Sequence, residues 1–317
     1  VGAVLAGGGV QAAHGLRGLN LEGRPRLSGT FFNPDHCALY LEICVTLAAA
    51  VTWWFLRNRR RLSMDATVVG AAVGGGLWLG FLFALGLTGS RAALVAAGAG
   101  CAVQGVLVLV WSRGGRKHLG LAAAALALAS GALVAASHYG PVLARLAVFD
   151  LSDSNIALRW AIWRDSLTLL GSFPLTGTGL GTFLEAFALV QSPATVGVRW
   201  VRAHNDLVEL LVTAGAVGAV AVALTLVGVG RRLYRLAAAG DTEGRAAVLA
   251  LAGVLAAVAV HEMADFGASL PGNWVALVVV TGALLGSPSA GGLRRVRDGR
   301  RRSARAGGSR RESGEPG

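Results

Sequence analysis

Long apolar runs constrain this chain more strongly than any other feature of its sequence. A helix needs roughly 20 apolar residues to cross a bilayer, and seven runs come close to that length. They lie at about residues 38–56, 66–86, 92–111, 119–137, 206–230, 246–266 and 272–287. Because lipid offers the backbone no hydrogen-bonding partner, spanning segments must be helices or closed barrels. The sequence therefore predicts an all-α, polytopic transmembrane helix bundle.

The two ends of the chain are expected to differ from its middle. Residues 1–14 are interpreted as the outer end of one more span, cut short, and the first residue is Val1 rather than Met, which indicates a missing N-terminal part. Residues 1–286 form the predicted membrane domain. Residues 287–317 are rich in Gly, Ser and Arg and are predicted to be a disordered cytoplasmic tail. The three cysteines lack the paired spacing of a metal site and are interpreted as small buried hydrophobic residues.

The formal net charge of +12 is distributed unevenly along the chain. Basic residues crowd the connections on one side of the predicted bundle: Arg57–Arg61, Arg113–Lys117, Arg231–Arg235 and Arg294–Arg311. All four groups can face the cytoplasm in a single topology, as the positive-inside rule requires. Contact of the tail with anionic lipid then accounts for its charge, and no nucleic-acid partner is expected.

The same topology places four connections outside the membrane. They are residues 15–37, 87–91, 138–205 and 266–273. Arginines kept on that side, against the general trend, indicate an anionic ligand, and guanidinium groups suit phosphate in particular. For Arg199 and Arg202, contact with lipid headgroups is an equal alternative. Those outward arginines are Arg91, Arg159, Arg164, Arg199 and Arg202.

Two of these arginines can be placed more closely. Arg91 opens a span directly after a Gly-Ser turn and is expected to point into the mouth of the bundle. Arg159 and Arg164 are five residues apart, so a helix directs them about 140° away from each other. We therefore expect at most one of this pair to face a site.

The outer segment 138–205 is too long for an idle connection and is predicted to carry function. Apolar residues recur at helical spacing between Asn155 and Gly171, which predicts an interfacial helix with Trp160 and Trp163 as belt aromatics. A glycine-rich stretch follows at 173–183. It fits an anion-binding nest or a tight turn, and the turn is favoured; its spacing is wrong for a dinucleotide fingerprint.

His204 is the strongest candidate for chemistry, because membrane-edge ionisable groups are functional candidates by default and imidazole transfers protons near neutral pH. The residues after it read as a capping box, Asp206 to Glu209, with Gly215 and Gly218 allowing close helix contact. These structural roles leave His204 itself unexplained.

A second histidine, His261, lies one helical turn before Asp265. The two side chains could contact each other. A hydrogen-bonded pair that supports the bundle is favoured over catalysis, and with no third ligand in register no metal site is expected.

Four stretches together resemble the O-antigen ligase and O-antigen polymerase family of bacterial envelope enzymes. They are Arg26–His36, the Leu87–Arg91 helix start, Arg159–Trp163 with Pro174–Phe183, and the His-Asn, nine-residue, Gly-x-x-Gly pattern of His204–Gly218. The resemblance implies a glycosyltransferase in the bacterial inner membrane, with its site facing the periplasm or exterior. Such an enzyme moves a glycan from an undecaprenyl diphosphate carrier to an acceptor hydroxyl, without metal or other cofactor.

The resemblance also implies roles for single residues. Arg91 and Arg159 would bind the diphosphate, and His204 would be the essential histidine, as a base or as a diphosphate ligand. Supporting roles would fall to Asn205, Arg164, Arg202, His261 and Asp265. Besides membrane lipids and the donor, the partner would be a glycan, lipid A-core or protein acceptor, since ligases, polymerases and protein glycosylation enzymes share these motifs.

A polytopic transporter or flippase of lipid-linked glycans is the main alternative function. Transporters place ionisable groups or broken helices near the membrane midplane and often show repeated halves. Glu42 is the only clear acidic residue within a predicted span away from its ends, and no repeat is evident. The sequence therefore favours the enzyme.

Overall fold

The computed structural model describes residues 1–112 and 154–286, and every regular element in these ranges is helical. The helices are α1 (Gly2–Leu21), α2 (Pro34–Arg57), α3 (Met64–Leu87), α4 (Arg91–Trp111), α5 (Ser154–Leu167), α6 (Phe183–Phe187), α7 (Asp206–Ala239), α8 (Thr242–His261) and α9 (Pro271–Leu285), with a 3-10 turn at Thr168–Gly171. The predicted all-α fold is confirmed.

Five of these helices, α2, α3, α4, α7 and α8, are long and apolar enough to cross a membrane. They correspond to five of the predicted spans. Of the two remaining predicted spans, 272–287 is the shorter apolar helix α9. The other, 119–137, lies outside the described residues, as does the predicted tail 287–317. The chain is therefore a multi-pass membrane protein.

Three helix boundaries differ from the sequence prediction. α1 continues to Leu21, where an outer loop was expected, because Gly15 and Gly18 are contact positions: a Cβ on Gly15 would lie 2.3 Å from the Leu27 side chain. α7 continues nine residues past the expected end at residue 230, to Ala239. α8 stops at His261, and the residues after it form a turn.

Helix α2 is the centre of the bundle and packs against α1, α3, α4, α8 and α9. Its first turn is fixed by Asn33, whose side chain accepts a hydrogen bond from the backbone of Asp35. Gln104 of α4 then joins three helices, because its amide donates to Thr46 O of α2 (2.8 Å) and to Leu249 O of α8 (3.1 Å). Such bonds inside an apolar bundle satisfy backbone acceptors that lipid cannot.

The two ends of the bundle differ in charge. The starts of α2, α4, α7 and α9 and the ends of α1, α3 and α8 lie at one end, which we call the site end. The opposite end carries the basic groups at 57–61 and 231–235, and Arg61 pairs there with Glu243 at 3.5 Å. This segregation follows the positive-inside pattern.

The segment between α4 and α7 has a small core of its own at the site end. Its buried residues are Ile162, Leu169, Phe183, Phe187, Ala203 and Val212. The expected interfacial helix is present as α5, continued by the 3-10 turn, and it packs against α7. Trp160 is 64% exposed, and the partly buried Trp163 donates its indole N–H to Ala203 O at 3.0 Å.

Asp165 anchors the far side of this small core. Its carboxylate accepts hydrogen bonds from Ser192 N (3.0 Å) and Thr195 Oγ1 (2.8 Å). Burial opposes the charged form, but these hydrogen bonds outweigh it and hold the pKa of Asp165 below its ordinary value. Arg164 pairs with the same carboxylate at 3.2 Å and is otherwise exposed.

Candidate active site

Helix α7 is broken near the site end. Gly215 has φ 60° and ψ −157°, a conformation open essentially to glycine alone. Four backbone groups freed by the break are bonded by the glycine-rich loop: Thr178 N to Val212 O, Gly179 N to Thr213 O, Ala216 N to Pro174 O, and Val217 N to Leu175 O, all at 2.9–3.0 Å. The prediction that Gly215 serves helix–helix contact is therefore wrong, because its neighbour is a loop.

The glycine-rich loop is a turn rather than an anion-binding nest over its described length. Gly177 has φ 65°, and a Cβ there would lie 2.4 Å from the carbonyl carbon of Thr213. The N–H groups of Gly177, Thr178 and Gly179 all donate to backbone carbonyls. Since these donors are used within the protein, the favoured turn interpretation agrees with the structure.

The start of α7 holds His204 between two fixed residues. Asn205 is the N-cap, and its Oδ1 accepts from Leu207 N (3.0 Å) and Val208 N (3.1 Å). On the other side, Glu209 accepts from Ala203 N at 3.0 Å. The predicted capping box is therefore wrong: the N-cap is Asn205 rather than Asp206, and Glu209 bonds to Ala203 N rather than to the N–H of the N-cap residue.

His204 has φ 54°, the one non-glycine residue with positive φ in the described ranges. Backbone strain of this kind persists where the surroundings enforce it, and it clusters at functional sites. Here the enforcing contacts are the N-cap Asn205 and the hydrogen bond from Trp163 to Ala203 O. Residue 204 is therefore held with its ring in a defined direction.

The ring of His204 faces the turn that follows α8. Its Nδ1 lies 3.6 Å from Asp265 Oδ1, and the ring meets Phe266 edge-on at a centroid distance of 5.0 Å. On its other side, Phe266 meets His36 of α2 at 4.7 Å. Three separate parts of the chain thus converge on Phe266, and neither Phe266 nor His36 was a sequence-predicted site residue.

Asp265 is buried and ionised. Burial raises the pKa of its carboxyl, but the facing imidazole of His204, together with His36, Arg159 and His261, more than offsets this and leaves the pKa below its ordinary value. The Asp265 carboxylate faces the Nδ1 side of the His204 ring at 3.6 Å.

Arg159 and Arg164 point in different directions, as their spacing predicted. Arg159 donates to Ala264 O, beside Asp265, whereas Arg164 points away to Asp165 and has a 70% exposed side chain. Arg202 pairs with Glu209 at 2.6 Å and lies over the Phe266 ring at 6.0 Å. Of these three arginines, Arg159 and Arg202 lie at the site.

Arg91 is the first residue of α4, directly after the N-cap Ser90. Gly100 of α4 is packed against α8, since a Cβ there would lie 2.7 Å from Gly253 O. Nine residues of helix span about 13.5 Å. Because α4 and α8 run antiparallel, Arg91 lies at the level of the turn after His261, as expected for a residue at the mouth of the bundle.

The predicted contact between His261 and Asp265 is replaced by a different pair. The His261 Nδ1 lies 2.5 Å from Glu42 Oε1, and both side chains are fully buried. Asp265 bonds to His261 only through its backbone N–H, because the helix has ended and the turn directs the Asp265 side chain to His204. The apolar context of Glu42 was a signal that it needed a partner, but the sequence could not identify which.

A second carboxyl pair fixes the same turn. Glu262 accepts from Ala268 N (2.8 Å), and Asp206 accepts from Ser269 N (2.9 Å). Burial, and then the hydrogen-bonded carboxylate of Asp206, raise the pKa of Glu262 to about 10. The hydrogen bond from Ser269 N to Asp206, the first residue of α7, connects this turn to the start of α7.

The apolar spans define a multi-pass membrane protein, and a strained histidine, a buried carboxylate and two arginines are gathered at one end of its bundle. Within the described residues, no group of three or more potential metal ligands is arranged to hold an ion.

Comparison with known proteins gives the family. Residues 75–223 match the family model of the O-antigen ligases, and this segment runs from α3 through Arg91, Arg159 and His204 to the region just past the break in α7. This match confirms the resemblance seen in the sequence. No curated protein matches the chain. The matched domain supports an O-antigen ligase-type glycosyltransferase in general, a family that works on a lipid-linked glycan donor and an acceptor.

Proposed function

We propose that the protein transfers a glycan from an undecaprenyl diphosphate carrier to an acceptor hydroxyl at the outer face of the bacterial inner membrane, without a metal ion. The observation that carries this proposal is the His204–Asp265 pair, which lies at the site end beside Arg159. A base, its carboxylate partner and a guanidinium group meet there on rigid elements. The basic opposite end supports a cytoplasmic orientation for that end and an outward orientation for the site.

The proposed reaction is a displacement at the anomeric carbon of the donor. The acceptor oxygen forms the new bond to that carbon, while the bond from the carbon to the diphosphate oxygen breaks. His204 Nε2 takes the acceptor proton, and Asp265 stabilises the resulting imidazolium. The electron pair of the broken bond leaves with undecaprenyl diphosphate, whose charge is met by Arg91 and Arg159.

The test is transfer by the purified protein in lipid nanodiscs, with a polyprenyl diphosphate-linked glycan as donor. We expect His204→Ala to reduce transfer by roughly 100-fold or more, and Arg91→Ala and Arg159→Ala to weaken use of the donor. Arg60→Ala, which removes an exposed arginine at the opposite end, is the matched control. Wild-type transfer by the His204→Ala variant would refute the assignment.

The broken helix α7 is the one observation that favours a transporter or flippase, since discontinuous helices often form transport sites. However, the break lies only ten residues from the start of the helix, and a loop already bonds four of its freed backbone groups. Movement of lipid-linked glycan across vesicles that contain only this protein, without any transfer product, would establish the alternative.

The acceptor distinguishes ligation, polymerisation and protein glycosylation. Envelope glycans from a deletion strain, resolved on a gel, separate these activities. Loss of all glycan-capped lipid indicates a ligase, single-repeat products indicate a polymerase, and loss of glycosylated protein with unchanged lipid indicates transfer to protein.

A further inference from the structure

A concave surface lies at the site end, formed by residues other than those around His204. It is a pocket of about 650 Å³ between α1 and the segment that leads into α2. Its lining comprises His14, Arg24, Pro25, Arg26, Ser28, Gly29, Thr30, Phe31, Phe32 and Pro34. Its volume falls within the range of small-molecule sites, about 300–1,000 Å³, and the proposed reaction has so far given it no role.

The loop that builds this pocket is held in one conformation. Leu27 is fully buried and bonds through its N–H to Leu87 O at 3.0 Å. Gln11 of α1 accepts from the backbone N–H of Thr30 at 2.8 Å, and the His14 ring donates to Gly29 O at 2.8 Å. A binding loop fixed in advance loses little entropy when its ligand arrives.

The chemistry of the lining is mixed in the way that a sugar requires. Phe32 is fully exposed at the rim of the pocket, although a loop so firmly tethered could have buried it. Aromatic rings offer flat apolar surface to the C–H faces of a pyranose. The exposed Thr30 and the half-exposed guanidinium of Arg24 supply partners for sugar hydroxyls. Arg24 is positioned by Glu22 at 2.8 Å and by the buried hydroxyl of Ser28 at 3.2 Å.

The position of the pocket relates it to the candidate active site. Phe31 packs against Gly272, at the start of α9. Asn273 donates both to His36 O (3.0 Å) and to Gly267 O (2.9 Å), so it connects α2 to the turn whose Phe266 ring touches His204. The pocket is therefore joined to His204 by packed residues of the segment 266–273 and the start of α9.

The pocket also borders the proposed donor side. Arg26 lines it and donates to Thr88 O, in the turn that leads to Arg91, while its guanidinium pairs with Asp35 at 2.8 Å. A ligand in the pocket would thus lie next to the α3–α4 turn on one side and to the turn after α8 on the other. This is the place that a second substrate of a transfer reaction must occupy.

We propose that this pocket binds the saccharide of the acceptor, with Phe31 and Phe32 against the sugar ring and with Arg24 and Thr30 bonded to its hydroxyls. The inference rests on the proposed transferase function and assigns its second substrate to a site of its own. Donor recognition, by contrast, depends on the arginines near His204. The two substrates are then recognised by different loops.

The test separates the two substrates kinetically. With the full chain in nanodiscs, the acceptor is varied at saturating donor, and the donor is then varied at saturating acceptor. We expect Phe32→Ala combined with Arg24→Ala to raise the KM for a glycan acceptor by about tenfold, with kcat and the KM for the donor unchanged. Phe32→Tyr, which keeps an aromatic ring, should restore most of the affinity when Arg24 is intact. Tyr234→Ala, an exposed aromatic at the opposite end, is the control.

Binding without turnover provides an independent measure. The His204→Ala variant should bind a fluorescent lipid A-core oligosaccharide or repeat-unit oligosaccharide, and the added Phe32 and Arg24 substitutions should raise the Kd for it by about tenfold. An unchanged acceptor KM in an active double variant would overturn the pocket assignment and leave the transferase proposal intact. The pocket assignment would also be overturned if an acceptor peptide competed for the site and neither oligosaccharide did. Absence of transfer by the wild-type protein would instead refute the proposed function.

Discussion

Substitution of Gly215 by alanine tests how the broken helix is held together. An added Cβ would lie 2.5 Å from both Gly177 N and Leu175 O, which are backbone atoms that cannot rotate away. A residue other than glycine at this φ and ψ costs about 1–3 kcal/mol, and overpacking adds about 1–3 kcal/mol. The strained variant should therefore lose roughly 2–6 kcal/mol of unfolding free energy.

The protein can avoid this strain only by releasing the glycine-rich loop. Release breaks the four hydrogen bonds between loop and helix. At about 0.5–1.5 kcal/mol each, their loss also amounts to roughly 2–6 kcal/mol. Both routes give the same range, so the expected destabilisation does not depend on how the variant relaxes.

Thermal unfolding of the detergent-solubilised protein measures the effect. For a chain of this size about 1 kcal/mol corresponds to a few degrees, so we expect the Tm of Gly215→Ala to fall by roughly 5–20 °C. Gly228→Ala, in an open stretch of the same helix where a Cβ would meet nothing within 4 Å, should leave the Tm unchanged or raise it slightly. Equal Tm values for the two variants would show that the loop does not depend on the break at Gly215.

Three further predictions concern polar contacts around the site. Asp265→Asn should lower the rate of transfer by roughly 100-fold with little loss of protein from the membrane, because the protonated form of His204 loses its carboxylate. An unchanged rate in the nanodisc assay would exclude the His204–Asp265 pair from catalysis. Trp163→Phe should cost about 1 kcal/mol through the lost hydrogen bond to Ala203 and should also lower kcat, whereas a fall in Tm alone would limit Trp163 to a structural role. The pKa of Asp165 is lowered in the folded protein, so its stabilising effect is complete above the ordinary carboxyl pKa of about 4 and is lost as the pH falls through the folded-state pKa. Asp165→Asn should therefore lower the Tm at pH 7 and abolish this loss of stability in acid. Parallel plots of Tm against pH for the variant and the wild type would contradict this.

The sequence predicted the helices well where apolar composition alone determines them. Helices α2, α3 and α4 lie within a few residues of their predicted spans, since a charge or a capping residue marks each end. The last turns of α1 were missed because Gly15 and Gly18 suggest a loop. Those glycines are explained by the side chains of Leu27 and Arg24, which pack on them from outside the helix.

The sequence predicted which residues belong to the candidate site better than it predicted the contacts that those residues make. His204, Arg159 and Asp265 carry chemistry that is conspicuous at a membrane edge, so their residue types marked them. Their partners come from distant parts of the chain: Phe266 meets His36, and the break at Gly215 is bonded by a loop about 40 residues upstream. No local pattern encodes such pairings, because they depend on which helices become neighbours.

The buried pair of Glu42 and His261 has a consequence for how the protein is made. The two residues are separated by 219 positions, which a ribosome covers in roughly 10–40 s. Throughout that interval α2 lies in the membrane with a carboxyl group that has not yet met its partner, and an acidic group at the centre of a span opposes insertion by about 2.5–3.5 kcal/mol. When α8 joins the bundle, the imidazole of His261 pairs with the carboxyl group of Glu42. A chain that stops before residue 261 therefore leaves Glu42 without its partner, so the hydrogen bond that supports the bundle can form only after α8 has been synthesised.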